Sequence, residues 1–215
     1  MKLIKLWYVA LVGLCLLVCS SACNKGAQQN TTDTDDEAAE ANVKKGVKPV
    51  ADAQVAVIDT DYGRIVIELY PNVAPQMVER FKKLASEGFY NGTTFHRIDP
   101  QLGIIQGGDP LSKDNNPLND GTGSSPYPNV PAEFSDLPFE RGTFGAARAQ
   151  DVNSANCQFY ITLKRQPEFD KRYTVFGKVI EGLNAADVIA GAPVREGTDH
   201  PADKIIIKSI TLQNR

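Results

Sequence analysis

The chain has 215 residues, of which 42% are hydrophobic and 23% charged, so it carries enough apolar side chains for a packed core and is not globally disordered. The formal net charge of −3 argues against a nucleic-acid binder that depends on a basic surface. Only two histidines occur, and no CxxC or HxxxH spacing is present, which argues against a zinc site. We therefore expect no nucleic-acid partner, no metal and no other cofactor.

The first 22 residues have the pattern of an export signal. Two lysines precede a 14-residue apolar run from Leu6 to Cys19, which is too short for an ordinary membrane span. Small residues then lead to Cys23, as in a lipobox whose cysteine becomes the acylated first residue of a lipoprotein. We expect residues 1–22 to be a signal peptide and Cys23 to anchor an exported, periplasm-facing lipoprotein to a membrane of the cell envelope. Plain cleavage without lipidation and a retained anchor remain as alternatives.

Residues 23–50 are predominantly polar, and several acidic side chains lie between Asp33 and Glu40. Such a segment buries too little apolar surface to offset the entropy lost on ordering, so it is predicted to be a flexible tether. The alternative is that its acidic run binds a partner or acts as a sorting element. The folded domain is expected to span residues 51–215.

Local patterns predict a hairpin and a helix at the start of this domain. Alternating apolar residues on both sides of Asp61–Gly63 predict the hairpin, and Pro75 opens the helix, which ends at Gly88. The apolar residues on one face of this helix are Met77, Val78, Phe81, Leu84 and Ala85. Residues 89–138 are rich in glycine and proline, which argues against a long helix there.

Short strands are predicted again in the second half of the domain. They lie at Thr143–Arg148, Cys157–Leu163 and Tyr173–Val179, followed by a short helix at Leu183–Ala190 and a last strand at Ile205–Leu212. Many short strands with two helices indicate a mostly β chain that forms a closed β-barrel, plugged by helices at its ends.

Four separate motifs occur in an order that is typical of one family. They are Phe95-His96-Arg97-Ile98, Gln106-Gly107-Gly108-Asp109-Pro110, Gln158-Phe159-Tyr160-Ile161 and Thr174-Val175-Phe176-Gly177-Lys178-Val179. From about Val55 to Leu212 the chain resembles the cyclophilins, which are peptidyl-prolyl cis–trans isomerases. The resemblance implies a closed eight-stranded antiparallel barrel capped by two helices.

The chemistry of prolyl isomerisation explains why such a site needs an arginine. An X–Pro bond rotates slowly because amide resonance imposes a barrier of roughly 18–20 kcal/mol, and no covalent bond has to break. A donor aimed at the prolyl nitrogen removes its lone pair from conjugation, and arginine offers a fixed fork of permanently charged donors. One charged hydrogen bond contributes only about 1.5–3 kcal/mol, so an apolar pocket must also grip the proline ring and favour the twisted state.

The resemblance implies that Arg97 is the catalytic arginine and that Gln106 orients both the arginine and the substrate. The residues implied for substrate binding are Leu102, Ile104, Ala147, Arg148, Ala149, Gln158, Tyr160, Phe169 and Tyr173. Among these, Tyr160 stands where the family has a phenylalanine on the floor of the proline pocket, and Arg148 is expected to act mainly through its backbone.

Two other residues near these motifs are interpreted as structural. No acid–base step requires His96, which therefore belongs to the fold, and Cys157 is expected to be a small buried hydrophobe. The spacing from Ile98 to Gln106 is one residue longer than the family's usual run. Either Leu102 or Gly103 takes the place of a pocket phenylalanine, and the sequence leaves this choice open.

The leading interpretation is an exported prolyl isomerase that assists the folding of other exported proteins and binds proline-containing polypeptides. A monomer is expected, because no heptad pattern or exposed apolar helix indicates a dimer. The first alternative is a catalytically weak binding module or chaperone that grips proline-containing segments without turning them over. The second is a small-ligand barrel or structural lipoprotein, which requires the four motifs to be accidental.

Overall fold

The computed structural model describes residues 42–215, and eight strands form one antiparallel sheet within this range. The strands are β1 Gln54–Thr60, β2 Gly63–Leu69, β3 Phe95–Asp99, β4 Ile104–Gly107, β5 Thr143–Ala146, β6 Phe159–Thr162, β7 Val175–Glu181 and β8 Ile207–Asn214. Their order across the sheet is β3-β4-β6-β5-β7-β2-β1-β8. The signal peptide expected over residues 1–22 and the lipidation of Cys23 lie outside the described residues.

The predicted hairpin is confirmed as β1 and β2, which pair in register from Val55 opposite Glu68 to Thr60 opposite Gly63. The turn is closed by Thr60, whose hydroxyl accepts from the backbone N–H of Tyr62 at 3.0 Å and donates to the carbonyl of Gly63 at 2.8 Å. Gly63 has a φ of +117°, which only glycine adopts without strain.

The first helix, α1, spans Pro75–Ser86 and buries the five apolar residues that the periodicity predicts. No side chain of the preceding residue caps it. Instead, the buried Glu133 carboxylate accepts from the backbone N–H groups of Gln76 and Met77 at 3.2 and 3.0 Å. A distant carboxylate therefore satisfies two of the amides that a helix start leaves free.

The second helix, α2, spans Leu183–Ala190 as predicted and buries Ala185, Ala186 and Ile189. Both helices pack on the sheet, and Phe81 of α1 lies at the centre of the aromatic core. Its ring lies within 6 Å of four other rings, those of Tyr90, Phe144, Phe159 and Phe176. Aromatic contacts of this kind hold the strands of the two chain halves against one helix.

The sheet is an open, strongly curled half-barrel, so the expectation of a closed barrel is wrong, although eight antiparallel strands and two helices are present. The edge strands β3 and β8 approach each other, and their ends are joined by the isolated bridge between Thr94 and Ile206 and by a hydrogen bond from the N–H of Gly92 to the carbonyl of Ile207 at 2.8 Å. Beyond these contacts, the outer edge of β3 binds a loop, because the N–H of Ile98 donates to the carbonyl of Asp199 at 2.7 Å. Glycines and prolines in residues 191–201 keep this loop from extending β8, which leaves the seam open.

The residues directly before the expected domain start are bound to loops of the folded domain. Lys44 pairs with Ser135 in a parallel bridge, and its ammonium donates to the carbonyl of Val73 at 2.7 Å. The N–H of Gly46 donates to the Asp136 carboxylate at 2.7 Å. The rest of the segment expected to be a tether, residues 23–41, lies outside the described range. Among residues 42–215, no helix is both long and apolar enough to cross a bilayer.

Candidate active site

Arg97 lies in the middle of β3, and its guanidinium is held from three sides. Nη2 donates to the Asp99 carboxylate at 2.7 Å, and Nε donates to the Asp199 carboxylate at 3.1 Å. Nη1 points to Oε1 of Gln106 at 3.5 Å. The side chain remains 35% exposed, so the guanidinium is fixed in orientation and still open to a ligand.

Three strands place Arg97 in one row with Gln106 and Tyr160. Arg97 pairs with Gln106 between β3 and β4, and Gln106 pairs with Tyr160 between β4 and β6. Cross-strand partners point to the same face of a sheet, and neighbouring strands are about 5 Å apart. The arginine therefore lies roughly 10 Å across the sheet from Tyr160, with the glutamine between them.

A chain of amides orients Gln106. Its Nε2 donates to Oε1 of Gln158 at 3.0 Å, so its own carbonyl oxygen faces Arg97. Gln158 is fixed in turn, because its Nε2 donates to the carbonyls of Gly121 and Gly123, both at 3.0 Å. The amide chain thus runs from a glycine-rich loop to the arginine and determines which way each amide points.

A buried apolar cluster, the candidate proline pocket, surrounds Tyr160 at the end of this row. Its ring stacks on Phe139 with centroids 6.0 Å apart, and it meets Phe169 edge-on at 5.7 Å. The residues of the apolar cluster that come from the predicted set are Ile104, Tyr160 and Phe169, with Leu102, Ala147 and Tyr173 packed against them. The half-buried side chains of Leu102, Ala147 and Tyr173 are the members of the cluster that a proline ring could contact.

Leu102, and not Gly103, takes the place of the pocket phenylalanine, a choice that the sequence did not decide. Leu102 packs against the pocket cluster. Gly103 has a φ of +60°, and a Cβ at that position would lie 2.7 Å from the side chain of Lys164. The extra residue in the loop is therefore accommodated by a left-handed glycine that turns the chain after Leu102.

Five of the predicted site residues line a separate, more polar groove. Its volume is about 360 Å³, and its lining includes Gln106, Ala147, Arg148, Ala149 and Gln158. Arg148 takes part with its side chain as well as its backbone. Its guanidinium donates to the carbonyls of Ala149 and Gln150 at 2.9 and 3.1 Å and lies 4.5 Å from the centre of the Tyr173 ring. The Arg148 side chain therefore contacts both the backbone that lines the groove and the Tyr173 ring of the pocket.

The hydroxyl of Tyr160 is buried and has no hydrogen-bond partner among the residues that the structure describes. Gly145 lies so close that a Cβ there would be 2.5 Å from the Tyr160 ring. Burial raises the pKa of Tyr160 well above its usual value, so the group stays a neutral phenol. An unpartnered polar atom in an apolar pocket reduces stability.

We expect Tyr160→Phe to raise the free energy of unfolding by about 1 kcal/mol, because it removes a buried hydroxyl without leaving another group unpaired. Proline-peptide binding should be kept, since the ring area is unchanged. Urea unfolding of the two proteins measures the difference. Tyr173→Phe, at a half-buried ring in the same pocket, is the control and should leave stability within about 0.5 kcal/mol of wild type. A destabilised Tyr160→Phe would mean that the hydroxyl has a partner.

His96 is buried next to Arg97, and neither ring nitrogen has a hydrogen-bond partner in residues 42–215. Burial lowers its pKa from 6.5 to about 4, against the attraction of the Asp109 carboxylate. The ring is therefore neutral at physiological pH. This environment fits the structural role expected from the sequence.

The stability of the protein should depend on pH through His96. Between pH 6.5 and about 4 the unfolded chain binds a proton at this residue and the native state does not, so stability is lost as the pH falls. We expect this contribution to reach about 3 kcal/mol at pH 4 and to be absent above pH 7. Urea titrations of wild type and His96→Leu between pH 7 and 4 measure it. Equal slopes in the two proteins would contradict the assignment.

Cys157 is buried behind the polar groove, and burial raises its pKa to about 12. It therefore remains a protonated thiol and packs as a small apolar side chain. Within residues 42–215, no three His, Cys, Asp or Glu side chains come together in a group that could hold a metal ion.

The sequence reasoning missed three residues of the site. Phe139 forms part of the pocket, and its signal was hidden in a proline-rich stretch without periodicity. Asp199 reaches Arg97 from a loop 102 residues away, which no local pattern reveals. Asp99 could have been found, because it lies two residues after Arg97 on the same face of a strand.

The model of the family described as "Cyclophilin type peptidyl-prolyl cis-trans isomerase/CLD" matches residues 55–212. A "Probable peptidyl-prolyl cis-trans isomerase" of Brucella suis is 43% identical over 158 residues, which are 71% of this chain and 80% of the relative. "Peptidyl-prolyl cis-trans isomerase-like 3" of Gallus gallus is 37% identical over 161 residues, covering 72% and 93% of the two chains.

A crystal structure of a Cryptosporidium parvum cyclophilin type peptidyl-prolyl cis-trans isomerase, determined in the presence of the dipeptide Ala-Pro, has a similar fold. The TM-score is 0.67 at 30% sequence identity, and the match covers 75% of this chain and 99% of the other. The family match over residues 55–212 includes both helices and the residues of the candidate site.

Proposed function

Because the chain belongs to the family of cyclophilin-type peptidyl-prolyl cis-trans isomerases, we propose that it accelerates rotation about X–Pro bonds while exported proteins fold. The observation that carries the proposal is the row formed by a fixed guanidinium, an oriented amide and the apolar cluster around Tyr160. This arrangement meets the two requirements of the reaction, a donor for the prolyl nitrogen and a grip on the proline ring. No covalent step is needed.

Each part of the site has a role in this proposal. The proline ring enters the apolar pocket over Tyr160, and the residue before it lies along the groove at Ala147–Ala149. Arg97 then donates to the prolyl nitrogen as the bond twists and its lone pair leaves conjugation with the carbonyl. Because this hydrogen bond is strongest in the twisted state, it lowers the barrier without tightening the binding of either planar isomer.

The test is the cis-to-trans conversion of a short proline peptide in the presence of the full-length protein in detergent micelles. We expect a rate that rises in proportion to protein concentration. Peptide binding without any change in rate would refute catalysis and support the alternative, a binding module or chaperone for proline-containing segments. The C. parvum relative, studied with Ala-Pro, supports a pocket that accepts a prolyl residue.

We further propose that the protein is a membrane-anchored lipoprotein facing the periplasm, with Cys23 as its acylated first residue. The support is the sequence pattern of the leader, a basic start and a 14-residue apolar run before Cys23. This location would place the isomerase where exported chains fold.

The anchor is tested by fractionating cells that express the full chain with either Cys23→Ser or Cys19→Ser. We expect the wild type and Cys19→Ser to sediment with membranes and Cys23→Ser to be released. Membrane association of Cys23→Ser would favour a retained anchor, and release of all three proteins would favour plain cleavage.

A further inference from the structure

We propose that Asp99 is a positioning residue that fixes the Arg97 guanidinium and the Leu102 wall of the pocket with a single carboxylate. The inference rests on the proposed catalytic role of Arg97, and it adds that Arg97 needs Asp99 to hold its guanidinium in position. Asp99 touches neither the prolyl nitrogen nor the proline ring in this proposal, and it acts through the arginine and the loop.

The carboxylate of Asp99 has one oxygen for each of its two partners. Oδ2 accepts from Nη2 of Arg97 at 2.7 Å, and Oδ1 accepts from the backbone N–H of Leu102 at 2.8 Å. Asp99 is the last residue of β3, two positions after Arg97, so both side chains lie on one face of the strand. Asp99 therefore lies where β3 ends and the pocket loop begins, and its carboxylate holds the arginine.

The loop from Pro100 to Gly103 is held by the Asp99 carboxylate through the N–H of Leu102. The same loop is also held by a neighbouring segment, because the amide of Gln166 donates to the carbonyl of Leu102. The N–H of Leu163 also donates to the carbonyl of Gly103 at 2.7 Å. Because the loop is hydrogen-bonded to Asp99, a movement of the loop also moves the Asp99 carboxylate and the Arg97 guanidinium bound to it.

Burial distinguishes Asp99 from the other carboxylate on the same arginine. The side chain of Asp99 is 10% exposed, whereas that of Asp199 is 48% exposed. A charge-assisted hydrogen bond strengthens as water is excluded, and an exposed ion pair contributes little. Asp99 therefore sets the orientation of Arg97, and Asp199 adds only a weak second contact.

A fixed arginine matters because a long side chain loses rotamer freedom when it binds a ligand. Where the native fold has already fixed it, that entropy is not lost again in the twisted state. Loss of the Asp99 contact should consequently lower kcat and leave the apolar grip on the proline ring, and hence KM, nearly unchanged.

The experiment compares Asp99→Asn, Asp99→Ala and Asp199→Ala in the full-length protein, with kcat, KM and thermal unfolding measured for each. Asp99→Asn keeps an acceptor for the Leu102 amide and loses the charge for Arg97. We expect it to unfold near the wild-type temperature and to lose about 10-fold in kcat with KM within about twofold. Asp199→Ala, the matched control on the same guanidinium, should stay within about twofold of wild type in both constants.

Wild-type kcat in Asp99→Asn would overturn the inference, and so would equal losses in Asp99→Asn and Asp199→Ala. A loss confined to Asp99→Ala, together with a lower unfolding temperature, would show that the residue only supports the loop. These outcomes require an active wild type. A wild-type protein that leaves the isomerisation rate at background would instead refute the proposed function, and the role of Asp99 would fall with it.

Discussion

Replacing Arg97 with alanine is expected to lower kcat/KM for a proline peptide by roughly 100-fold. The guanidinium supplies one charge-assisted hydrogen bond to the prolyl nitrogen, which contributes about 1.5–3 kcal/mol, and each 1.4 kcal/mol is tenfold in rate. The pocket around Tyr160 is unaffected, so peptide binding should weaken far less than catalysis. Residual acceleration by the variant would measure what the pocket contributes alone.

Arg97→Lys separates charge from geometry in the same assay. Lysine keeps the positive charge and cannot reach Asp99, Asp199 and Gln106 at once, because its ammonium has no fork of donors. We expect it to lose almost as much activity as alanine. The variant also avoids leaving the buried Asp99 carboxylate without a cation, so unfolding temperatures of both variants show whether lost activity reflects lost structure.

Two outcomes would contradict this account of Arg97. If the alanine variant kept the wild-type rate, the guanidinium would be only an ion-pair partner of Asp99 and Asp199. If lysine restored full activity, charge alone would suffice and the orientation observed in the structure would have no function. Either result leaves the family membership of the chain intact, and only the first would move catalysis from Arg97 to the pocket.

Much of the fold follows from local patterns. The hairpin at Asp61–Gly63 and the apolar face of α1 need only residues close in sequence, and both are present. The openness of the sheet could not be read in this way. It depends on hydrogen bonds between β3 and a loop about 100 residues further along, such as Ile98 to Asp199, and on the failure of that loop to become a strand.

The candidate site divides in the same manner. Arg97, Gln106 and Tyr160 lie in recognisable motifs and come together because their strands are neighbours. The choice between Leu102 and Gly103 needed the backbone, since a left-handed φ cannot be inferred from an irregular loop. Contacts that close loops over long separations, such as that of Asp199, carry no periodic signal.

The glycine-rich loop that holds Gln158 depends on Asp109 of the second motif. Asp109 is fully buried, and its carboxylate accepts from the backbone N–H groups of Leu111 at 2.8 Å, Gly123 at 3.2 Å and Gly121. The carbonyls of Gly121 and Gly123 in turn accept from Gln158, which orients Gln106. The buried Asp109 carboxylate thus holds the loop on which the orientation of Gln158 and Gln106 depends.

Asp109→Ala should lower the free energy of unfolding by about 3–5 kcal/mol, because three backbone amides lose a buried acceptor together. The expected fall in Tm is about 10 °C. Asp114→Ala is the matched control, since Asp114 also accepts hydrogen bonds in a neighbouring turn but is exposed to solvent. Its effect should stay within about 1 kcal/mol.

Activity measured well below the unfolding temperature tests the functional half of this prediction. Without Asp109, the loop no longer fixes Gln158, so Gln106 loses its orientation toward Arg97 and kcat should fall along with stability. Equal stability of Asp109→Ala and Asp114→Ala would show that the loop finds other acceptors. Full activity in a strongly destabilised Asp109→Ala would separate the fold of this loop from catalysis, and the amide chain would then have no part in directing the arginine.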